Sequence, residues 1–134
     1  MQSSKFLILF AGFAGLLLLS QCAAPQNEGQ RLYTQNCANC HMDDGSGLRN
    51  LIPPLAGADY LEKHRHDLAC LIKHGQSGPI VVNGVLFNKE MPAHEHLSAI
   101  DIQNLLNYIQ KNFAKDIKPF SPEEVNRALE KCKH

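Results

Sequence analysis

The chain has 134 residues, and its 13 Lys and Arg balance 13 Asp and Glu, so the formal net charge is zero. This length suits one domain with a modest core. No basic block is long enough to indicate nucleic-acid binding, so the sequence argues against that class of function, and the charge balance names no other partner.

The first residues are typical of an export signal. Lys5 supplies a positive charge, and the uncharged, mostly apolar stretch from Phe6 to Leu19 is shorter than the ~20 residues of a bilayer-spanning helix. The tetrapeptide LSQC at 19–22 follows and resembles a bacterial lipobox, in which the cysteine is diacylated and becomes the first mature residue. We therefore expect a lipid anchor at Cys22. An uncleaved N-terminal anchor and ordinary cleavage to a soluble form are the alternatives.

A first helix is predicted from Gly29 to about Cys40, and it leads into the run Cys37-Ala38-Asn39-Cys40-His41. Two thiols at this spacing can add across the two vinyl groups of one porphyrin, and the histidine that follows can bind its iron. A zinc site would need a second pair of ligands, and a thioredoxin-like redox pair would follow a strand in a βαβ pattern. The sequence shows neither, so we expect one covalent haem c held by Cys37 and Cys40, with His41 on the iron.

The middle of the chain predicts a helix followed by a β-hairpin. Asp59 to His74 has apolar residues at helical spacing, and Gly75 would end the helix. Within the segment 80–87, Asn83-Gly84 stands between β-branched and apolar residues, which is typical of a two-residue hairpin turn. We expect any β-structure to be confined to this segment.

Two capped helices are predicted after the hairpin. Ser98 and Asp101 form a capping box ahead of apolar residues that repeat at helical spacing as far as Phe113. The run Ser121-Pro122-Glu123-Glu124 is read as a second capping box, with proline at the first helical position. The apolar face of this last helix includes Cys132, which we therefore expect to face inward.

Cys70 and Cys132 remain after lipid and haem have been assigned to the other three of the five cysteines. Export would place them in an oxidising compartment that permits a disulfide. The bond would fasten the C-terminal helix to the middle of the domain. Two buried free thiols are the alternative, because the sequence does not show whether the Cα atoms come within ~7 Å.

From about Gly29 to Phe113 the chain resembles the monohaem class I cytochrome c family. In that family, a glycine and an aromatic residue four positions later in the first helix cross the last helix at a leucine and an aromatic residue three positions later. The counterparts in this sequence are Gly29, Tyr33, Leu105 and Tyr108. The resemblance implies an all-α cytochrome c fold of three main helices around one haem, with a small hairpin near 80–87 and an extra C-terminal helix.

The resemblance also implies the remaining haem contacts. The family has a proline after the haem histidine whose carbonyl accepts a hydrogen bond from the imidazole, and Pro53 matches it, with Leu55 packing on the porphyrin. Met91 lies between the hairpin and the last helix of the family fold, where the family has its distal methionine ligand. Ligation by His94 or His96, an open or water-bound iron, and a core-filling Met91 are the alternatives.

Closed ligation of the iron by His41 and Met91 would make the protein an electron carrier and not an enzyme. We expect redox proteins as partners, with no small-molecule substrate, and a location in the cell envelope facing the periplasm. The alternatives are a haem enzyme or gas-binding sensor with an open or bis-histidine iron, and a tethered subunit of a larger oxidoreductase complex. The expected segments are a signal peptide (1–21), a tether (22–28), the cytochrome c haem domain (29–113) and a helical extension packed on it (114–134).

Overall fold

The structure is a computed structural model and describes residues 27–114 and 118–132, so the predicted signal peptide and Cys22 lie outside the described residues. Within these two segments no helix is both long and apolar enough to cross a bilayer. The elements in chain order are α1 (Glu28–Asn36), α2 (Ala38–His41), α3 (Asp59–Lys63), α4 (Leu68–His74), β1 (Ile80–Val82), β2 (Val85–Phe87), α5 (Ala99–Phe113) and α6 (Pro122–Glu130).

Helices α1 and α5 cross at the centre of the fold, where Gly29 and Tyr33 contact Tyr108 as the family resemblance implies. At Gly29 the two backbones come so close that a Cβ atom would overlap the carbonyl oxygen of Asn104 and lie 2.7 Å from the Cβ of Tyr108. One turn later, the buried ring of Tyr33 has its centroid 5.3 Å from that of Tyr108 and 5.1 Å from that of Phe113. The crossing therefore depends on the absence of a side chain at Gly29 and on the aromatic packing of Tyr33 one turn later.

Helix α5 forms as the sequence predicts and supplies much of the core. Ser98 Oγ accepts a hydrogen bond from Asp101 N, and the Asp101 carboxylate accepts one from Ser98 N, which completes the capping box. The helix buries one face along its 15 residues. The buried residues are Ile102, Leu105, Leu106, Ile109, Gln110 and Phe113.

The predicted hairpin is also confirmed. Strands β1 and β2 pair antiparallel, with Val82 opposite Val85. The turn residues Asn83 and Gly84 have φ angles of 51° and 78°, which a two-residue hairpin turn requires and which these residue types tolerate. Asn83 and Asp59 exchange two hydrogen bonds of 2.7 and 3.0 Å, so the turn is fastened to the start of α3.

The helix predicted from Asp59 to His74 is interrupted in the structure. Helix α3 ends at Lys63, a 3-10 turn covers Arg65–Asp67, and α4 begins at Leu68. At the interruption the Arg65 guanidinium donates to both carboxylate oxygens of Glu124, at 2.8 and 3.0 Å, and lies 3.7 Å from the centroid of the Phe120 ring. These partners are distant in sequence, so the helical pattern of the segment gives no sign of them.

At Ser121 the structure shows one of the two hydrogen bonds of the predicted capping box. Ser121 Oγ accepts a hydrogen bond from Glu124 N at 3.2 Å, but the Glu124 carboxylate is engaged by Arg65. Helix α6 forms nevertheless, and a disulfide joins Cys70 to Cys132 with their Cα atoms 5.6 Å apart. The C-terminal helix is thus attached to α4 covalently and to the 3-10 turn by an ion pair.

Candidate functional site

The residues predicted to contact haem meet at one predominantly apolar cleft. The cleft contains about 960 Å³ of space free of protein atoms, including the part open to solvent. All six residues predicted to contact the haem line this cleft, namely Cys37, Cys40, His41, Pro53, Leu55 and Met91.

The first predicted helix breaks at Cys37, and this break shapes the thiol pair. Cys37 has φ −122° and ψ −37°, so α1 stops before it and the single turn α2 begins after it. Both cysteines line the cleft, and Cys37 is buried whereas Cys40 is exposed. Burial raises the pKa of the Cys37 thiol to about 12, and the nearby Cys40 adds to this, so the thiol is neutral at physiological pH. The cleft therefore presents one thiol on its inner wall and one near solvent.

His41 is held in an orientation that leaves one ring nitrogen for a metal. Its side chain is 9% exposed, and Nδ1 lies 3.1 Å from the carbonyl oxygen of Pro53. A carbonyl can only accept, so Nδ1 carries the proton and donates, which leaves the Nε2 lone pair available. Burial lowers the pKa of His41, although the Pro53 hydrogen bond opposes this. The neutral imidazole favoured by burial is the form that binds iron.

A glycine that the sequence analysis did not single out keeps Pro53 beside the imidazole. Gly47 has φ +70°, and a Cβ there would lie 2.7 Å from the carbonyl carbon and oxygen of Pro53. Gly47 N donates to the carbonyl oxygen of His41 at 3.0 Å, which closes the loop between the two residues. The two glycines at 45 and 47, shortly after the haem histidine, were the available sequence signal, since a turn with positive φ favours glycine.

Met91 reaches the cleft from a segment that pairs with Gln76, two residues beyond the end of α4. Met91 N donates to Gln76 O at 2.9 Å, and Gln76 N donates to Met91 O at 3.0 Å. The rival histidines, His94 and His96, do not line the cleft. His96 Nε2 instead lies 3.2 Å from Asn36 Oδ1. The structure therefore brings the thioether, and neither rival imidazole, into the same cleft as His41.

The rest of the cleft fits a large planar apolar group with few polar atoms. Aliphatic side chains that the sequence analysis did not assign to the site form most of the wall, namely Ala58, Leu61, Leu68, Leu71, Ile72, Ile80, Val82, Leu106 and Ile109. Lys89 and Glu90 add charge to the lining. Two thiols, an imidazole and a thioether within such walls are the donor set that a covalently attached haem needs.

Comparison with known proteins agrees with this chemistry. Residues 26–112 match the family model described as Cytochrome c. The chain is 36% identical over 120 residues to cytochrome c-552 of Thermus thermophilus, covering 83% of this chain and 80% of that protein. It is 31% identical over 91 residues to cytochrome c-551 of Bacillus subtilis, covering 56% of this chain and 79% of that one.

A further relative is the cytochrome c subunit of the quinone alcohol dehydrogenase of Gluconobacter oxydans, which is 32% identical over 92 residues, or 67% of this chain and 19% of the subunit. The family model spans every residue that lines the cleft. The predicted fold, the single covalent haem c and single-electron transfer are confirmed by these matches. The chain belongs to the cytochrome c family.

Proposed function

We propose that this chain is an electron carrier with no catalysed reaction of its own, in which Cys37 and Cys40 form thioethers to the haem while His41 and Met91 bind its iron. The observation that carries this assignment is that all four side chains line one apolar cleft, whereas His94 and His96 do not. Bound there, the haem would supply a one-electron couple between ferric and ferrous iron.

The protein's contribution is to fix the ligands and to exclude water. The hydrogen bond from His41 Nδ1 to Pro53 O sets the ring orientation and makes the imidazole a stronger donor. Bound to the iron, the Met91 thioether would favour the reduced state and so raise the reduction potential. Leu55 and the other aliphatic walls desolvate the site. Ligation by both His41 and Met91 would leave the iron no position for a substrate.

Partners would exchange electrons through transient contact. Cys40 is exposed while lining the cleft, so this side of the haem site faces solvent. A docked redox protein needs to bring its own cofactor close to this edge, and small, weak interfaces are typical of such encounters. We therefore propose redox proteins as donor and acceptor, and no small-molecule substrate.

We further propose that the domain is anchored in the cell envelope through a lipid on Cys22, facing the periplasm. The proposal rests on the export-signal pattern and the lipobox-like tetrapeptide at 19–22. It includes removal of residues 1–21, with 22–28 as the tether to the haem domain and 114–134 as the extension packed on it. Cys22→Ser should prevent lipidation and shift the exported, haem-loaded protein out of the lipid-modified membrane fraction. Unchanged incorporation of labelled fatty acid would contradict the anchor.

Optical spectra of the exported protein test the ligand assignment. The ferric protein should show the weak far-red band of sulfur bound to iron. Met91→Ala should abolish that band, lower the potential and open the iron to small ligands while the haem stays attached. His94→Ala and His96→Ala are the matched controls and should retain the band. If Met91→Ala kept the wild-type spectrum and potential, the distal assignment would be wrong.

The thiol assignment has its own test in the covalent bond. Single replacement of Cys37 or Cys40 by Ala should impair attachment, and the double replacement should abolish it. Extraction with acidic organic solvent separates the two states, because only covalently bound haem stays with the protein. Unextractable haem in the double variant would refute the role of these cysteines.

The similarity to a quinone alcohol dehydrogenase subunit favours a second candidate, in which the chain is a tethered electron-transfer subunit of a larger oxidoreductase complex. The match covers only 19% of that relative, so it concerns the haem domain alone. Gentle detergent solubilisation followed by native size measurement distinguishes the two proposals. Recovery with stoichiometric oxidoreductase subunits would favour the complex, and recovery alone would favour the free carrier.

A further inference from the structure

The segment that carries Met91 rests on the C-terminal end of helix α4. We call residues 91–97 the distal segment. Its first residue exchanges two backbone hydrogen bonds with Gln76, directly beyond α4, and His94 N donates to the carbonyl oxygen of Ile72 within α4 at 3.1 Å. These bonds secure the first half of the distal segment. They leave its second half, which returns to α5, to be held by other groups.

Lys73 binds that second half, together with the contact of 3.2 Å between His96 Nε2 and Asn36 Oδ1 and the hydrogen bond of 3.0 Å from Leu97 N to His94 O. Lys73 Nζ donates to the carbonyl oxygen of Glu95 at 2.5 Å and to that of Leu97 at 2.8 Å. Because the donor is an ammonium, both bonds are charge-assisted and stronger than neutral ones. Leu97 is buried, with 3% of its surface exposed, whereas Glu95 is exposed. Lys73 therefore joins a solvent-facing carbonyl and one beside the core to the same turn of α4.

We propose that Lys73 is a positioning residue that keeps the distal segment closed, and Met91 with it, against the iron. The inference rests on the proposed function of Met91 as the sixth ligand. Movement of the distal segment away from α4 would carry Met91 with it and would break both bonds to the ammonium. Lys73 thereby disfavours the open, five-coordinate form and contributes to excluding outside ligands from the iron.

Lys73→Met in the haem-loaded protein tests this role, because it keeps the apolar side chain as far as Cε and removes the ammonium, which is both the donor and the charge. Lys111→Met is the matched control, since it removes one positive charge from an exposed position of α5. We expect Lys73→Met to bind imidazole at the ferric iron about tenfold more tightly than wild type, which follows from losing ~1.4 kcal/mol of closure. Lys111→Met should stay within about twofold. Lys73→Arg retains a cationic donor and should recover part of the difference.

Hydrogen exchange provides a readout that does not depend on the ligand. The amides of Met91 and His94 bond to Gln76 and Ile72, so their exchange should accelerate in Lys73→Met and not in Lys111→Met. If the wild-type protein lacks the far-red band, the Met91 assignment fails and this inference fails with it. If the band is present and Lys73→Met matches wild type in imidazole affinity and exchange, only the role of Lys73 is wrong.

Discussion

Removal of the disulfide between Cys70 and Cys132 should lower the free energy of unfolding of the haem-loaded protein by about 4 kcal/mol. The two residues are 62 positions apart. In the chain-entropy account, a cross-link over that separation removes about 14 cal/mol/K from the unfolded ensemble, which corresponds to ~4 kcal/mol at 25 °C. The folded state keeps its other contacts between α4 and α6, so the loss reflects the greater freedom of the unfolded chain.

Guanidinium unfolding of the Cys70→Ala, Cys132→Ala double variant measures this loss, followed by far-ultraviolet circular dichroism with the haem attached. With a denaturant slope of ~2–6 kcal/mol/M, the midpoint should fall by about 0.7–2 M. Titration of thiols in the unfolded wild type should find neither cysteine free. A loss below about 1 kcal/mol with an unchanged slope would refute the reasoning, because the extension would then not unfold together with the haem domain.

Two further substitutions test contacts that fix the fold. Gly29→Ala should destabilise the protein by ~1–3 kcal/mol, because its Cβ would overlap Asn104 O and crowd Tyr108. This cost outweighs the better helix propensity of alanine. Gln30→Ala on the exposed face is the control, and a raised melting temperature of Gly29→Ala would contradict the prediction. Glu124→Gln tests the ion pair by pH. The hydrogen bond from Arg65 lowers the pKa of Glu124 below its ordinary value near 4.5, so the stabilisation is present above that value and is lost as pH falls through the lower folded pKa. The variant should be less stable than wild type at pH 7, and the difference should shrink in acid; a difference that stays constant with pH would contradict the pairing.

The elements predicted well are those whose cause lies within a few residues. Ser98 and Asp101 are three positions apart and cap α5 by contacting each other, and the apolar face of that helix needs only its own periodicity. The hairpin depends on Asn83 and Gly84, the two residues that accept its positive φ angles. In both places the local sequence carries the whole explanation.

Two of the three departures from the predicted elements involve the same pair of residues that are distant in sequence. Arg65 and Glu124 are 59 positions apart, yet their ion pair lies at the interruption between α3 and α4 and engages the carboxylate that the predicted Ser121 capping box would use. Phe120 packs under the same guanidinium. No periodicity or capping pattern can reveal a partner at such a distance, because these patterns describe neighbours along one helix.

The residues of the candidate site also fall into those that the local sequence predicts and those that depend on distant contacts. The thiol pair and His41 follow from a spacing of a few residues, so the sequence alone points to haem attachment. Pro53 and Met91 came from the family resemblance, since nothing near either residue marks it as a haem contact. Gly47 and Lys73 were missed because they act on backbone carbonyls of other segments. Contacts of this kind depend on chain path more than on residue type.

Helix α4 connects the extension to the haem site. It has seven residues, fewer than the ~12–15 that an isolated helix needs to be even marginally stable in water, so its order comes from what it packs against. At Cys70 it is bonded to Cys132, two residues beyond the end of α6, and at its last turn Ile72 and Lys73 bind the distal segment. Leu68 and Ile72 of the same helix line the cleft. The C-terminal extension is therefore bonded to the short helix on which the Met91 segment rests, although none of its described residues lines the cleft.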